Sequence, residues 1–398
     1  MNTEWPSQRR EQFLSIDESD FNEVEPGLRA SRPVLRVTPA DKRCTHAYYT
    51  SSPLSADGRL LTWLEYHETR IDRRVKLPIT GRIIVAASDG SGQKVLQDNV
   101  HGTVNSGAMQ QWLGETHRVG WIDRRDCWWV ADCETGETWQ GSGLGREFSP
   151  EGDELFIQTG EDVHLKAETE GRSLTPEDVA ARIIRWNTGE ETARISVADV
   201  LAIHPDAAKV RRQHMCFKQT LFSPDGQRIA VNFSNAWYTR HRKDEEFRHE
   251  KLIARPDGSE LRHLGAGASH PGWHPTGQFY FAIAPDEQGV NRFTLYPVDG
   301  SAPFRAGGDW LGGGHPSFQP GDGRYLAVDY FRAGKGHVFL RLYDLEDESY
   351  EDILVAEYTD YSNDSGIHFH PAWSPDGRSL FIASEHTGIA GLYRIDPF

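Results

Sequence analysis

A short turn motif returns seven times along the 398 residues, and its spacing restricts the fold more than any other feature. It reads SADG ending at Gly58, LG at Gly114, SPEG at Gly152, SPDG at Gly226, HPTG at Gly277, PGDG at Gly323 and SPDG at Gly377. The turns are followed by apolar runs rich in β-branched and aromatic residues, such as RLLTWLEY, DELFIQTG, QRIAVNFS, QFYFAIA, RYLAVDYF and RSLFIAS. Runs of this composition are strands. A second run follows each, with a tight DG or TG return, as in RIIVAASDGSG, ARIIRWNTGE, KLIARPDGSE and FTLYPVDGS. Four antiparallel strands per unit, repeated seven times, describe an all-β, seven-bladed β-propeller. Length alone would allow two or three domains; the repeats assign it to one ring.

A ring of blades must close, or it leaves an open edge that invites aggregation. The final unit ends at GLYRIDPF with too few strands of its own, and PVLRVTP at 33–39 supplies the missing one. The expected organisation is therefore a propeller over 31–398, closed by an N-terminal strand in the last blade, with residues 1–30 as an arm over its outside. Two stretches exceed an ordinary loop. In 160–181, Thr175 as cap and Pro176 at the first helical position predict a helix in SLTPEDVAAR. The second, 234–250, reads NAWYTRHRKDEEFRHE from Asn235. Long loops on one face of a propeller are where ligand contacts usually sit.

Charge narrows the partners. Against 43 Lys plus Arg stand 59 Asp plus Glu, a balance that repels nucleic acid and anionic membranes, so neither is expected as a partner. A negatively charged substrate would need a local basic pocket. No run approaches membrane-spanning length and the first residues lack the apolar core of a secretory signal, so the expected location is cytoplasmic. The four scattered cysteines, Cys44, Cys127, Cys133 and Cys216, suit a reducing compartment. Cys127 and Cys133 could bridge two strands, but free thiols are expected.

Counting back seven residues from each turn glycine marks the start of the inner strand. The positions are Ser51, Gly107, Gly145, Gln219, His270 and His370, with His315 eight back because its turn is one residue longer. None is aliphatic, although a packed core would favour that, so the ring is expected to line a solvated channel. Three units share His-Pro-x-aromatic-x-Pro, from His270, His315 and His370, and His368 adds a fourth imidazole. Residues two apart in a strand share a face, which lets His368 and His370 reach one ion. His315 from the neighbouring blade completes a set suited to a borderline divalent metal. One His-Pro alone is more often a hydrogen-bonded turn residue; three at equivalent positions favour metal or catalytic use.

Other positions carry weaker readings. His46 and His214 each lie twelve residues before their turn glycine, as substrate contacts or loop caps. Gln219 belongs to the ring, and Tyr48, Tyr49, Trp237 and Trp273 are aromatics that could stack on a ligand or pack in the blades, with blade core favoured for Trp273. Arg240, His241, Arg242, Lys243 and Arg248 concentrate positive charge in the 234–250 loop, where arginine can pair with a carboxylate in a bidentate fashion. Asp244, Glu245, Glu246 and Glu250 in the same loop balance it.

With these residues in place, the chain resembles the oligogalacturonate lyases, seven-bladed propellers among the polysaccharide lyases. LRVTPADKRCTHAYYTSSPLSADGRLL resembles that family's opening strand and first blade, and IHFHPAWSPDGRSLFIASEHTGIAGLYRIDP its closing blade. The resemblance implies a manganese ion held at His315, His368 and His370, with a further channel histidine at His270. It also implies an active-site arginine in the 234–250 loop, with Arg248 nearest and Arg240 and Arg242 as alternatives. The family's glutamine ligand is replaced by Ser365, and Asp364 or Asn363 stands near to supply an oxygen. The implied activity is metal-assisted β-elimination on small acidic oligosaccharides, giving an unsaturated uronate, with His270 as base. Two other readings are a lyase for a glucuronate- or rhamnose-containing linkage, and a non-catalytic binding propeller resembling TolB. A serine hydrolase lacks its GxSxG elbow here, and the ring offers no paired carboxylates for a glycosidase.

Overall fold

The structure is a computed structural model and describes residues 21–68, 79–267, 270–310, 312–332, 336–357, 367–396 and 398. Seven antiparallel sheets follow one another as the blades of a propeller. Blade one runs from Cys44–Thr45 through Leu60–Tyr66 and Ile79–Ala87 to Lys94–Gly102. Blade seven is Ala372–Trp373, Leu380–Ser384 and Gly391–Ile395, completed by Val34–Arg36 from the other end of the chain. Val34 pairs with Ile395 and Arg36 with Tyr393. The closure expected from PVLRVTP is thus present.

The turn motif works the same way in several blades. In blades one, four and seven the serine hydroxyl donates to the Asp two residues on, Ser55 to Asp57, Ser223 to Asp225 and Ser374 to Asp376. The glycine N–H then closes the turn on the serine carbonyl at 2.9 Å. Gly226 and Gly377 sit at φ +65° and +69°, a conformation that costs a side-chain-bearing residue free energy and glycine little. Between blades, an inner-strand tryptophan reaches back to the preceding blade. Trp112 donates its indole N–H to Pro53, Trp273 to Leu221 and Trp373 to Ser317. The aromatic body fills the wedge between sheets while the N–H satisfies an inner-strand carbonyl. Trp273 is accordingly buried core, in a cluster with Leu221, Ile253 and Tyr280.

Outside the ring, Asn22–Glu25 and Leu28–Ala30 form a hairpin that adds to the outer edge of blade six, Leu28 opposite Ala356. Residues 1–20 lie outside the described residues. All four cysteines are free thiols, and no helix among the described residues is long and apolar enough to cross a membrane. The expected helix at Thr175 is corrected. Thr175 and Asp178 close a single turn, the backbone N–H and hydroxyl of Thr175 both donating to the Asp178 carboxylate. The chain then becomes the strand Ala180–Arg185, which pairs with Glu154–Gln158. Strand pairing overrides the local capping signal, and the helix of this insertion is Val163–Thr169 instead.

Candidate metal centre and channel site

Backbone geometry singles out the ring positions. Gln219, His270 and His370 have φ of +48°, +61° and +46°, and Gly107 has +53° at the equivalent place. In blade six the glycine just before His315, Gly314, takes φ +67°. Left-handed backbone at a non-glycine residue is uncommon, and when surroundings enforce it the strain clusters at functional sites. At His270 and His370 it precedes the short inner strands Gly272–Trp273 and Ala372–Trp373, and at Gln219 it falls inside the strand Cys216–Phe222 at a shift in its pairing register. His368 and His370 therefore do not converge as neighbours in a strand, as the sequence suggested. The inner strand is only Ala372–Trp373, and the left-handed His370 precedes it.

The imidazoles of His315, His368 and His370 each offer a ring nitrogen within 4.8 Å of the others. The ring of His315 lies 4.2 Å from that of His370, 4.9 Å from His368 and 4.4 Å from His270 between centroids. Asp329, buried in the second strand of blade six, organises them. Its carboxylate accepts from the His315 ring Nδ1 at 2.9 Å and the His315 backbone N–H at 2.8 Å, and from the His370 backbone N–H at 3.0 Å. Burial pushes the Asp329 carboxyl up, but His315, His368 and the His370 N–H outweigh it and hold it down at about 2. With Nδ1 of His315 taken by a carboxylate, Nε2 is the nitrogen left to ligate, the arrangement common behind metal-bound histidines. The Nε2 of His370 is buried and finds no hydrogen-bond partner among the described residues, as a nitrogen reserved for an ion would. The donor set fits a borderline divalent cation. Ser365, Asp364 and Asn363 lie outside the described residues.

The remaining site candidates divide between the channel and blade four. His270 faces His315, and burial first, then the neighbouring His315, pulls its pKa well below the ordinary value, so the ring is neutral. Tyr48 stands edge-on to His370 at 4.7 Å, and burial pushes its phenol up to about 12. Tyr49 donates its hydroxyl to the Pro271 carbonyl. His46 is fully buried, with Nε2 3.3 Å from the Phe369 carbonyl, which steadies the His368–His370 segment from behind. Gln219 accepts from Asn232 at 2.6 Å.

The other group lies over blade four. His214 stacks on Tyr238 at 3.8 Å and pairs with Glu245. Arg240 is exposed in the last turn of the helix Ala236–His241, and Arg242 meets Glu168 at 3.2 Å. Trp237 stands at the surface beside His241. Arg248 is half-buried and paired with Glu250 at 2.8 Å. Glu250 also meets His204 and His263, a second grouping of metal-ligand type. There the His204 Nδ1 accepts the Asp206 N–H, which puts the ring proton on Nε2 facing Glu250. The grouping is thereby satisfied as an ion-pair network with Arg248.

No family model matches the chain, and no curated protein does. Solved structures do. An oligogalacturonate lyase in complex with manganese superposes with a TM-score of 0.66, covering 93% of this chain and 94% of that one at 14% identity. An oligogalacturonate lyase from Vibrio parahaemolyticus gives 0.63 over 92% and 94%, at 15% identity. The β-propeller domain of the trilobed protease from Pyrococcus furiosus gives 0.52 over 89% and 95%, at 11% identity. At these identities the likeness establishes the architecture alone, a seven-bladed propeller of the shape the oligogalacturonate lyases have.

Proposed function

We propose that this protein is a lyase that cleaves small uronate-containing oligosaccharides by β-elimination, with His315, His368 and His370 holding a divalent cation, manganese being the first candidate. The observation that carries the reading is the convergence of these three imidazoles on one point, with Asp329 fixing His315 and a nitrogen on His370 that has no partner among the described residues. Their chemistry supplies what the reaction lacks: a cation bound there stabilises the charge that develops on a uronate carboxylate.

The chain's own residues account for the other requirements. The proton at C5 must go to a base that is neutral at working pH, and His270 is held in that form beside the cluster. As that proton leaves, its bonding electrons form the C4–C5 double bond and the C4–O4 bond breaks, so the departing oxygen needs a proton. Tyr48 keeps its own to high pH and its ring abuts His370. Gln219, at the same ring of positions, has its amide oxygen engaged by Asn232, and His46 holds the backbone behind the ligands. The loop over blade four offers the exposed Arg240 to a longer sugar chain, while Arg242 and His214 would first have to leave Glu168 and Glu245. Arg248 acts on substrate only by giving up Glu250.

The test follows the ultraviolet absorbance of the unsaturated product during incubation with oligogalacturonates. Arms contain manganese, a chelator, or His370→Ala, and circular dichroism confirms folding. Metal-dependent product formation that falls at least about a hundredfold in the variant is expected. A folded wild type that forms no product from any galacturonate or glucuronate oligosaccharide overturns the reading and returns the molecule to the binding propellers.

A further inference from the structure

Blade four carries a buried amine that the elimination does not use. Lys251, in the third strand His249–Ala254, is fully buried, and among the described residues no carboxylate lies within ion-pair distance of its Nζ. Buried guanidiniums elsewhere are answered by acids, Arg43 by Glu385 and Arg341 by Asp352. Lys251 instead donates to Oδ1 of Asn232 at 2.8 Å and meets His249 Nε2 at 3.3 Å. Burial, and then the like charge of Lys218, pull its pKa well below the ordinary value. Asn232 is its Cα partner on the second strand and is itself fully buried. An aspartate of the same shape at 232 would give Lys251 a counter-charge and relieve that cost, so the stability of Lys251 does not account for the asparagine.

What the asparagine supplies is direction. Lys251 Nζ and, from blade five, the Tyr280 hydroxyl at 3.4 Å both donate to Asn232 Oδ1. With its oxygen so fixed, Asn232 turns its N–H2 the other way and donates to Gln219 Oε1 at 2.6 Å. Gln219 then keeps its own two N–H groups for other acceptors. It is the ring position of blade four, left-handed at φ +48° like His270 and His370, at a register shift between Lys218 and Leu221. Its amide also meets the Tyr48 phenol. Burial pushes that phenol up, and hydrogen bonding from Gln219 is among the influences that counter it, an effect that requires an N–H. Tyr48 stands edge-on to His370 at 4.7 Å, so the row Lys251, Asn232, Gln219 ends one ring away from the imidazole cluster.

We propose that Lys251 and Asn232 are positioning residues that hold the Gln219 amide with its N–H2 toward the channel, where it donates to a substrate oxygen able only to accept, the departing O4 or the carboxylate. The inference rests on the lyase reading above and gives one of its contacts a polarity. A buried amine two side chains away thereby decides whether the site meets its substrate with a donor or an acceptor.

Asn232→Asp separates this role from a structural one. It keeps the shape, gives Lys251 a counter-charge and faces Gln219 with an oxygen, so the Gln219 amide must turn and present its own oxygen to the channel. Thermal melting is expected at or above the wild-type temperature with manganese affinity unchanged, while kcat/KM on trigalacturonate falls about ten- to a hundredfold. A fall in kcat assigns the N–H to the departing O4, and a rise in KM at constant kcat assigns it to the carboxylate. In a Gln219→Met background the same substitution should cost nothing further. Lys251→Met frees the Asn232 amide to turn and should lose part of the activity, again only while Gln219 is present; it decides the question if Asn232→Asp does not fold. Wild-type kcat/KM in folded Asn232→Asp, or an equal loss with and without Gln219, overturns the positioning role alone. A manganese-loaded wild type that cleaves no oligouronate overturns the lyase reading and this inference with it.

Discussion

Asp329 spends its two carboxylate oxygens on two histidine-bearing segments, and Asp329→Asn tests that division by leaving only one acceptor. The variant should fold and bind manganese about ten- to a hundredfold more weakly, read by metal titration. Glu147 offers a pH test away from the cluster. Burial pushes its carboxyl up to about 8, and the Phe222 N–H and Arg146 only partly counter it. Its folded pKa lies above the unfolded value, so its contribution is fully present below about 4.5 and is lost as pH rises toward 8. Glu147→Gln should leave the urea midpoint little changed at pH 5 and raise it at pH 8, by up to ~4 kcal/mol of unfolding free energy. At this scale the histidines were legible because repeat spacing gives each its register. Asp329 was not, since its place beside His315 depends on pairing across blade six. The available signal was a carboxylate amid the apolar run YLAVDYF.

The elements that aim the ligands are short, so small changes in them should matter. A Cβ at Gly314 would meet the Asp329 carbonyl oxygen at 1.6 Å, on a residue already at φ +67°. Gly314→Ala is therefore expected to cost about 2–4 kcal/mol in a urea titration and to disrupt manganese binding with it. At the ring's seam, among the described residues, removing 1–30 takes the hairpin on blade six, whereas removing 1–38 also takes the strand that completes blade seven. The shorter deletion should retain one cooperative thermal transition; the longer should melt earlier and scatter light as its open edge associates. Closure was readable because the last unit lacked a strand. The helix after Thr175 was misread because local capping chemistry says nothing of the partner strand Glu154–Gln158 waiting across the blade.

Taken as a whole molecule, the ring places His315 at the head of blade six and His368 and His370 at the head of blade seven, so an ion held by all three links two blades. Manganese at about a hundred times its dissociation constant should stabilise the wild type by ~2.7 kcal/mol, seen as a rise in melting temperature of a few degrees. That rise should vanish in His370→Ala. The sealing strand carries a consequence for how the protein is made. Val34 is translated before any of the seven blades and must wait for Ile395 before the ring can seal. Pairing over such a separation makes for slow, late closure. Because the blades that carry the three imidazoles follow the other five along the chain, a nascent chain that stops before His368 holds an incomplete ligand set, and metal capture reports that both blades have been made.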